Sequence, residues 1–394
     1  MKSPSPKEHQ RADTLERQRH LKMARSAQAY VRGSTAVFYE WLKSSQGNIP
    51  EGPPIWICGD CHVGNLGPVA DSKGNVEIEI RDLDQTIIGN PAHDLIRLGV
   101  SLAMAARSSD LPGVTTALML EQMMIGYSES FKPSKKSATA AKKAGKPIRI
   151  VLKEALSRKW RHLATERIED VRPKIPLGRK FWALSKAEHG EIERLFESKN
   201  AKLLVSVLRK EASKQKVKVL DAAYWMKGCS SLGRLRYAVL LGIGKRFCLI
   251  DIKEAVAAAA PGKNTTGIPR DHAERLVAGA RALSPFLGER MTAEKFRGKP
   301  VVIRELRPQD LKFEFDRITK EEAVEAAKFL SGIVGRAHAR QLTPIQRKKW
   351  LSSLNRRRTR LDAPGWLWDC VVELVSAHEA EYLEHCRRYA LAQA

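Results

Sequence analysis

Trp56-Ile57-Cys58-Gly59-Asp60-Cys61-His62-Val63-Gly64-Asn65, followed by Ile78-Glu79-Ile80-Arg81-Asp82-Leu83-Asp84, decides how this chain is read. An apolar run ends in Gly59-Asp60, Asn65 follows five residues after the Asp, and a short hairpin leads to an Asp-x-Asp. Phosphoryl transfer uses these parts in this order. A carboxylate at a strand exit orients or deprotonates a hydroxyl, and an Asn and a second carboxylate hold a magnesium ion. Asp60 is therefore expected as the catalytic carboxylate, with Asn65 and Asp82 as metal ligands.

The same stretch contains Cys58-Gly59-Asp60-Cys61-His62, a Cys-x-x-Cys-His of the kind that attaches c-type haem. Haem attachment requires export to an oxidising compartment, and Met1 to His9 has no apolar core that would serve as a leader. Cys229, Cys248, Cys370 and Cys386 are scattered and form no second pair, which argues against zinc. Both thiols are expected to be small buried residues beside a polar turn.

A chain of 394 residues is long enough for two or three lobes with real cores. The most apolar run, Leu98 to Ala106, is too short to span a bilayer. Six unpatterned cysteines suit a reducing cytoplasm. The net charge of +25 implies attraction to polyanions: nucleic acid, acidic membrane surfaces or an anionic acceptor. Much of the charge lies in a Lys-rich stretch, 132–148, expected as a flexible loop, and in Arg356-Arg357-Arg358-Thr359-Arg360. Aromatics make up only 6% and do not interleave with these clusters, so nucleic acid is an alternative partner that is not favoured.

Apolar periodicity predicts one or two helices over 12–44, a strand at 55–60, a hairpin pairing 65–70 with 76–81, and helices from about Asp94 and over 115–130. Helices are expected to dominate 150–215. Strands are expected at 217–220, 237–242, 247–253 and 300–306, with a helix at 269–283. Beyond Thr319 the chain reads as helical, broken at Pro344 and Pro364. The expected division is a helical lobe (1–215), a sheet lobe with one helix (216–308) and a further helical segment (309–394).

A second constellation lies in the sheet region. Gly228-Cys229-Ser230-Ser231-Leu232-Gly233 sits between two expected strands, and Lys253 stands at the end of a third. A glycine-rich hairpin lets backbone amides approach phosphates, and a strand-borne Lys adds a fixed positive charge. Such a Lys needs a carboxylate to hold it; Glu274 on the next helix is the expected partner, Glu254 a poorer one.

These residues resemble the working parts of the protein kinase and aminoglycoside phosphotransferase superfamily. Gly59 to Asn65 resembles the catalytic loop, Ile80 to Asp84 the metal-binding segment, and Gly89-Asn90-Pro91-Ala92-His93-Asp94-Leu95 the Gly-Asp-Pro-x-x-Asp-Leu that follows it. Most of residues 20–340 also resembles a bacterial family known only as a domain of unknown function. Tyr30-Val31-Arg32-Gly33, Ile252-Lys253-Glu254-Ala255 and Arg336-Ala337-His338-Ala339-Arg340 are among the matching segments. Cys61 departs from a usual Ala, and Ser230 replaces the middle glycine of Gly-x-Gly-x-x-Gly.

The resemblance implies an α+β, two-lobed kinase-like fold. The glycine loop and Lys253 follow the catalytic loop where kinases place them before it, so the fold is expected to be circularly permuted. ATP and magnesium are the implied cofactors. Gly228, Ser230, Gly233, Lys253 and Glu274 would serve the nucleotide, and Asp84 would join Asn65 and Asp82 at the metal. His62 is expected beside the catalytic Asp60, bracing the loop by a hydrogen bond, and Asp94 is expected to hold the loop by accepting backbone N–H bonds. The implied reaction is phosphoryl transfer to a hydroxyl of a small molecule or protein. AMP transfer or a nucleotide-binding pseudokinase is the alternative, and a polyanion-binding protein a further one.

Overall fold

The computed structural model describes residues 6–45, 49–132, 149–150, 153–154, 174–208, 217–228, 232–244, 246–260, 267–310, 319–355 and 364–389. Three helices open the chain: α1 (Arg11–Met23), α2 (Ala27–Gly33) and α3 (Thr35–Ser44). The Ser26 hydroxyl accepts the Ala29 N–H and caps the second of them. Strand β1 (Ile55–Ile57), the hairpin of β2 (Leu66–Ala70) and β3 (Val76–Ile80), and β4 (Ile87–Gly89) follow. Next come the long helices α4 (Ala92–Ser108) and α5 (Gly113–Glu129). The β2–β3 turn is closed by the Asp71 carboxylate, which accepts the Lys73 and Asn75 N–H groups at 2.8 and 2.7 Å, while Gly74 takes φ 91°.

The second half carries β5 (Phe181–Trp182), α6 (Lys186–Leu195), α7 (Lys199–Leu208), β6 (Val217–Trp225), β7 (Arg236–Ile243) and β8 (Arg246–Glu254). It continues with α8 (His272–Leu283), the short α9 (Pro285–Gly288), β9 (Met291–Phe296) and β10 (Lys299–Leu306). Helices α10 (Lys320–Ala339), α11 (Pro344–Asn355) and α12 (Gly365–Tyr389) complete the chain. Pro344 does not merely break a helix; it opens α11 as the first residue, where its missing N–H costs nothing.

The architecture is mixed α and β around a six-stranded antiparallel sheet in the order β5-β6-β7-β8-β10-β9. Alternation along the strands puts Tyr224, Tyr237, Val239, Ile250, Ile252 and Ile303 on one face, packed against α6 and α7. Trp225, Ala238, Leu240, Leu249 and Leu306 line the other face. The largest core joins α4, α5, α10, α11 and α12 to α8 and to the two small strand pairs.

Three elements lie outside the expectation. The β4 ladder to β1 and the strands β5 and β9 form in places where the sequence carries no strong strand pattern. Each is recruited by hydrogen bonding to a neighbour already in place. Residues 181–208 and Leu15 of α1 pack on the sheet, so the division of cores does not follow the expected boundary at 216.

Glu79 ties the hairpin to α9. Its carboxylate is 3% exposed and accepts the Ser284 hydroxyl at 2.6 Å and the Phe286 N–H at 3.1 Å. Burial pushes its pKa from 4.5 up to about 7, with Glu77 adding to the rise and Ser284 and Arg340 opposing it. The folded protein thus binds this proton more tightly than the unfolded chain. That stability is full below the unfolded pKa and is lost as pH rises through about 7. Glu79→Gln keeps the acceptor oxygen without the charge. Its stability relative to wild type should therefore rise between pH 5 and pH 8, by on the order of 2–3 kcal/mol. Thermal melts at the two pH values check this; parallel curves would refute it.

Candidate active site

The catalytic-loop segment leaves β1 through Gly59, whose φ of 74° and close approach to the Gln85 carbonyl exclude a side chain. Asp94, fully buried in the first turn of α4, accepts the N–H of Cys58 at 2.7 Å and of Gly59 at 2.9 Å. This is the bracing role expected of it. His338 Nε2 lies 3.1 Å from the same carboxylate, Tyr127 Oη 2.9 Å from His338 Nδ1, and Trp350 Nε1 donates to Tyr127 Oη at 2.9 Å. A buried polar chain thus runs from α11 to the loop backbone.

Asp60 is buried and both of its oxygens are engaged. Arg97 Nε and Nη2 donate to Oδ1 at 2.9 and 2.7 Å, and the Thr35 hydroxyl donates to Oδ2 at 3.0 Å. Arg97 Nη2 also reaches the Val31 carbonyl at 2.8 Å. Asn65 donates its side-chain N–H to the Asp60 carbonyl at 2.9 Å. Its own carbonyl accepts Arg81 N–H at 2.7 Å, so the hairpin sets Asn65 one step from Asp82.

Lys253, at the end of β8, pairs with Asp82 at 3.4 Å and more closely with Asp84. The two carboxylates and Lys253 line a small cleft open to solvent, with Arg81, Arg304, Leu276, Met291 and Val302. Burial opposes ionisation of Asp82, but Lys253, Arg304 and Arg236 hold its carboxyl well below the usual range. Burial and then the neighbouring Asp82 charge raise Asp84. Two close carboxylates that resist joint ionisation are hard oxygen donors suited to magnesium. No group of three His, Cys, Asp or Glu side chains gathers as a metal site among the described residues. An ion here would draw on Asp82 and Asp84, with further oxygens from phosphate or water; the Asn65 side chain does not line the cleft.

Behind Lys253 stands a charged row that the sequence did not announce. Asp251, fully buried, accepts Arg236 Nε and Nη2 at 2.9 and 2.6 Å and Arg304 Nε and Nη2 at 3.1 and 2.9 Å. Strand register makes it: Asp251 is directly opposite Arg304, and Arg236 opposite Lys253.

Three expectations need correction or qualification. Glu274 does not hold Lys253; it is exposed in the first turn of α8, where its N–H meets the Asp271 cap. Its neighbour Arg275 turns inward instead, donating to the backbone carbonyls of Thr86, Asp84 and Val256. Glu254 serves Lys299 and the Leu235 N–H. The His62 side chain braces nothing through Nδ1, which is buried without a hydrogen-bond partner; its carbonyl does the bracing, accepting Asn65 N–H at 2.8 Å. Burial foremost, with Arg32 and Arg97 against Asp60 and Asp82, brings the His62 pKa down to about 4. Gly228 and Gly233 take φ of 100° and 93° at the turn before β7, and Lys22 Nζ donates to the Gly228 carbonyl at 2.6 Å. Ser230 lies outside the described residues. Cys58 and Cys61 are both free and fully buried.

Thr35, Arg97, Arg236 and Arg304 were missed by sequence reading. Arg97 carried a weak signal, a charged residue inside the apolar face of α4. A mixed α and β protein emerges, with an antiparallel sheet whose lysine meets the Asp-x-Asp of a separate helical core. The chain belongs to a family described as uncharacterized proteins conserved in bacteria (DUF2252), matched over residues 11–388. No curated protein and no solved structure matches it. No helix among the described residues is long and apolar enough to cross a membrane.

Proposed function

We propose that this protein is a kinase-like, circularly permuted phosphotransferase that moves a phosphoryl group from ATP to a hydroxyl acceptor. The observation that carries the reading is the meeting of Lys253 with Asp82 and Asp84, groups 171 and 169 positions apart in the chain (253 − 82 and 253 − 84). In kinases, a lysine on the third strand and a magnesium-binding Asp must be in place together. Here Lys253 stands near the end of β8, the third strand of the series β6, β7, β8 and the second after the glycine turn, and a helix follows. Lys253 binds the ATP phosphates, the glycine turn marked by Gly228 and Gly233 would offer them backbone N–H groups, and magnesium at Asp82 and Asp84 would neutralise their charge. With Arg97 and Thr35 holding its oxygens in place, Asp60 orients the acceptor hydroxyl.

The same Arg97–Asp60 pair favours a second reading, a nucleotide-binding pseudokinase, which absence of turnover with intact binding would support. Calorimetry of ATP with and without magnesium tests the site. Binding should require magnesium and weaken at least about tenfold in both Asp82→Ala and Lys253→Ala. No ATP binding by the wild type in either condition would overturn both readings.

A further inference from the structure

Tyr30-Val31-Arg32-Gly33 has no part in the function proposed above, yet its arginine reaches the catalytic loop. A methyl group built on Gly64 would come within 3.2 Å of the Arg32 guanidinium and 3.3 Å of His62 Cε1. The guanidinium therefore lies against the backbone of Gly64, in the loop between Asp60 and Asn65, and a side chain there would press on it.

The backbone that carries Arg32 is fixed to Asp60 on both sides. Val31 offers its carbonyl to Arg97, which holds Asp60, and Thr35 donates to the same carboxylate. Met23 packs against Gly33 so closely that a side chain there would collide with it.

The other charged side chains around the loop have partners. Asp60 faces Arg97, Asp82 and Asp84 face Lys253, and Asp94 faces His338. Among the described residues no hydrogen bond or ion pair engages Arg32, which is partly exposed. Beside it, His62 is only 4% exposed and its Nδ1 is unpartnered. A placed guanidinium without a counter-charge, next to an unsatisfied polar ring, is an incomplete anion site.

We infer that Arg32 is an oxyanion-binding residue of the catalytic loop, taking the oxygens of a phosphoryl group. This deepens the phosphotransfer reading and rests on it for the source of that group. The phosphoryl group is either the one in transit from ATP or one carried by the acceptor. A planar guanidinium fork suits two phosphoryl oxygens at once, which an ammonium cannot match.

Inorganic phosphate is the probe, titrated calorimetrically into the full-length protein at fixed ionic strength, alone and with magnesium-ADP. Wild type, Arg32→Ala and Arg32→Lys are compared, with thermal melts to verify folding. Phosphate affinity should fall at least about tenfold in Arg32→Ala, and Arg32→Lys should recover only part of it. Magnesium-ADP affinity should stay within about twofold of wild type in both variants. Phosphate binding that strengthens with magnesium-ADP would identify the group in transit; binding indifferent to it would identify an acceptor phosphate. Equal phosphate affinity in wild type and Arg32→Ala, or no phosphate binding by wild type in either condition, overturns the inference. If Arg32→Ala fails to fold, Arg32→Lys decides, since unchanged affinity there excludes the fork. Magnesium-ADP binding is read separately, so its absence would defeat the nucleotide reading while an Arg32-dependent phosphate site still stood.

Discussion

Asp251→Ala should destabilise the protein by about 3–5 kcal/mol, because it leaves two arginines in the sheet without their carboxylate. Arg236 is 4% exposed and Arg304 lines the cleft, so neither can recover full hydration without disturbing β7, β8 or β10. For a chain of this size the loss corresponds to a fall in melting temperature of roughly 5 °C. Asp251→Asn preserves the volume and two hydrogen-bond acceptor sites, and should lie between. Burial works against the Asp251 charge, but Arg236 and then Arg304 hold its carboxyl far below its ordinary 3.8. By linkage its contribution is present above that ordinary value and lost as pH falls through the depressed one. The gap between wild type and Asp251→Ala should therefore be flat from pH 5 to 8 and close only in strong acid. A melting temperature within about 2 °C of wild type at neutral pH would show that the row carries little net energy.

Asp94→Ala should cost a similar amount, about 3–5 kcal/mol, for a different reason. The carboxylate is fully buried and satisfies two backbone N–H groups at the entrance to the catalytic loop while facing His338. Alanine leaves the Cys58 and Gly59 N–H groups buried without acceptors, each costing about 1–3 kcal/mol. It also cuts the loop from the His338–Tyr127–Trp350 chain. Chemical denaturation would measure the loss. Hydrogen exchange should show the amides of residues 58–65 opening before the α4 and α10 cores. Uniform loss of protection would instead mean that Asp94 supports the fold generally and not the loop.

What was legible follows from range. Asp60, Asn65, Asp82 and the hairpin between them lie within a few turns of chain, and Gly74 and Gly59 mark their bends through positive φ. Alternating β-branched and aromatic runs announced β6, β7, β8 and β10, and the helical pattern beyond Thr319 announced α10, whose start the structure closes with a Thr319–Glu322 capping box. The Glu274 expectation failed by one position. A helix turns about 100° per residue, so the choice between Glu274 and Arg275 belongs to whatever packs on α8. Here that is the backbone of Asp84 and Thr86, which an arginine can serve and a carboxylate cannot.

The amino-acid sequence by itself determined the elements and the local chemistry: the Gly-Asp loop, the Asp-x-Asp, the glycine turn and a lysine at a strand end. These depend on turn residues, strand period and neighbours a few positions apart. Only the tertiary structure decided which charges meet: Lys253 with Asp82 and Asp84, Arg97 with Asp60, Arg304 and Arg236 with Asp251, and Arg32 with no partner over Gly64. Such pairings span long stretches of chain, and side chains of one sign compete for the same partner. Burial and register select among them, and neither is written in the local pattern.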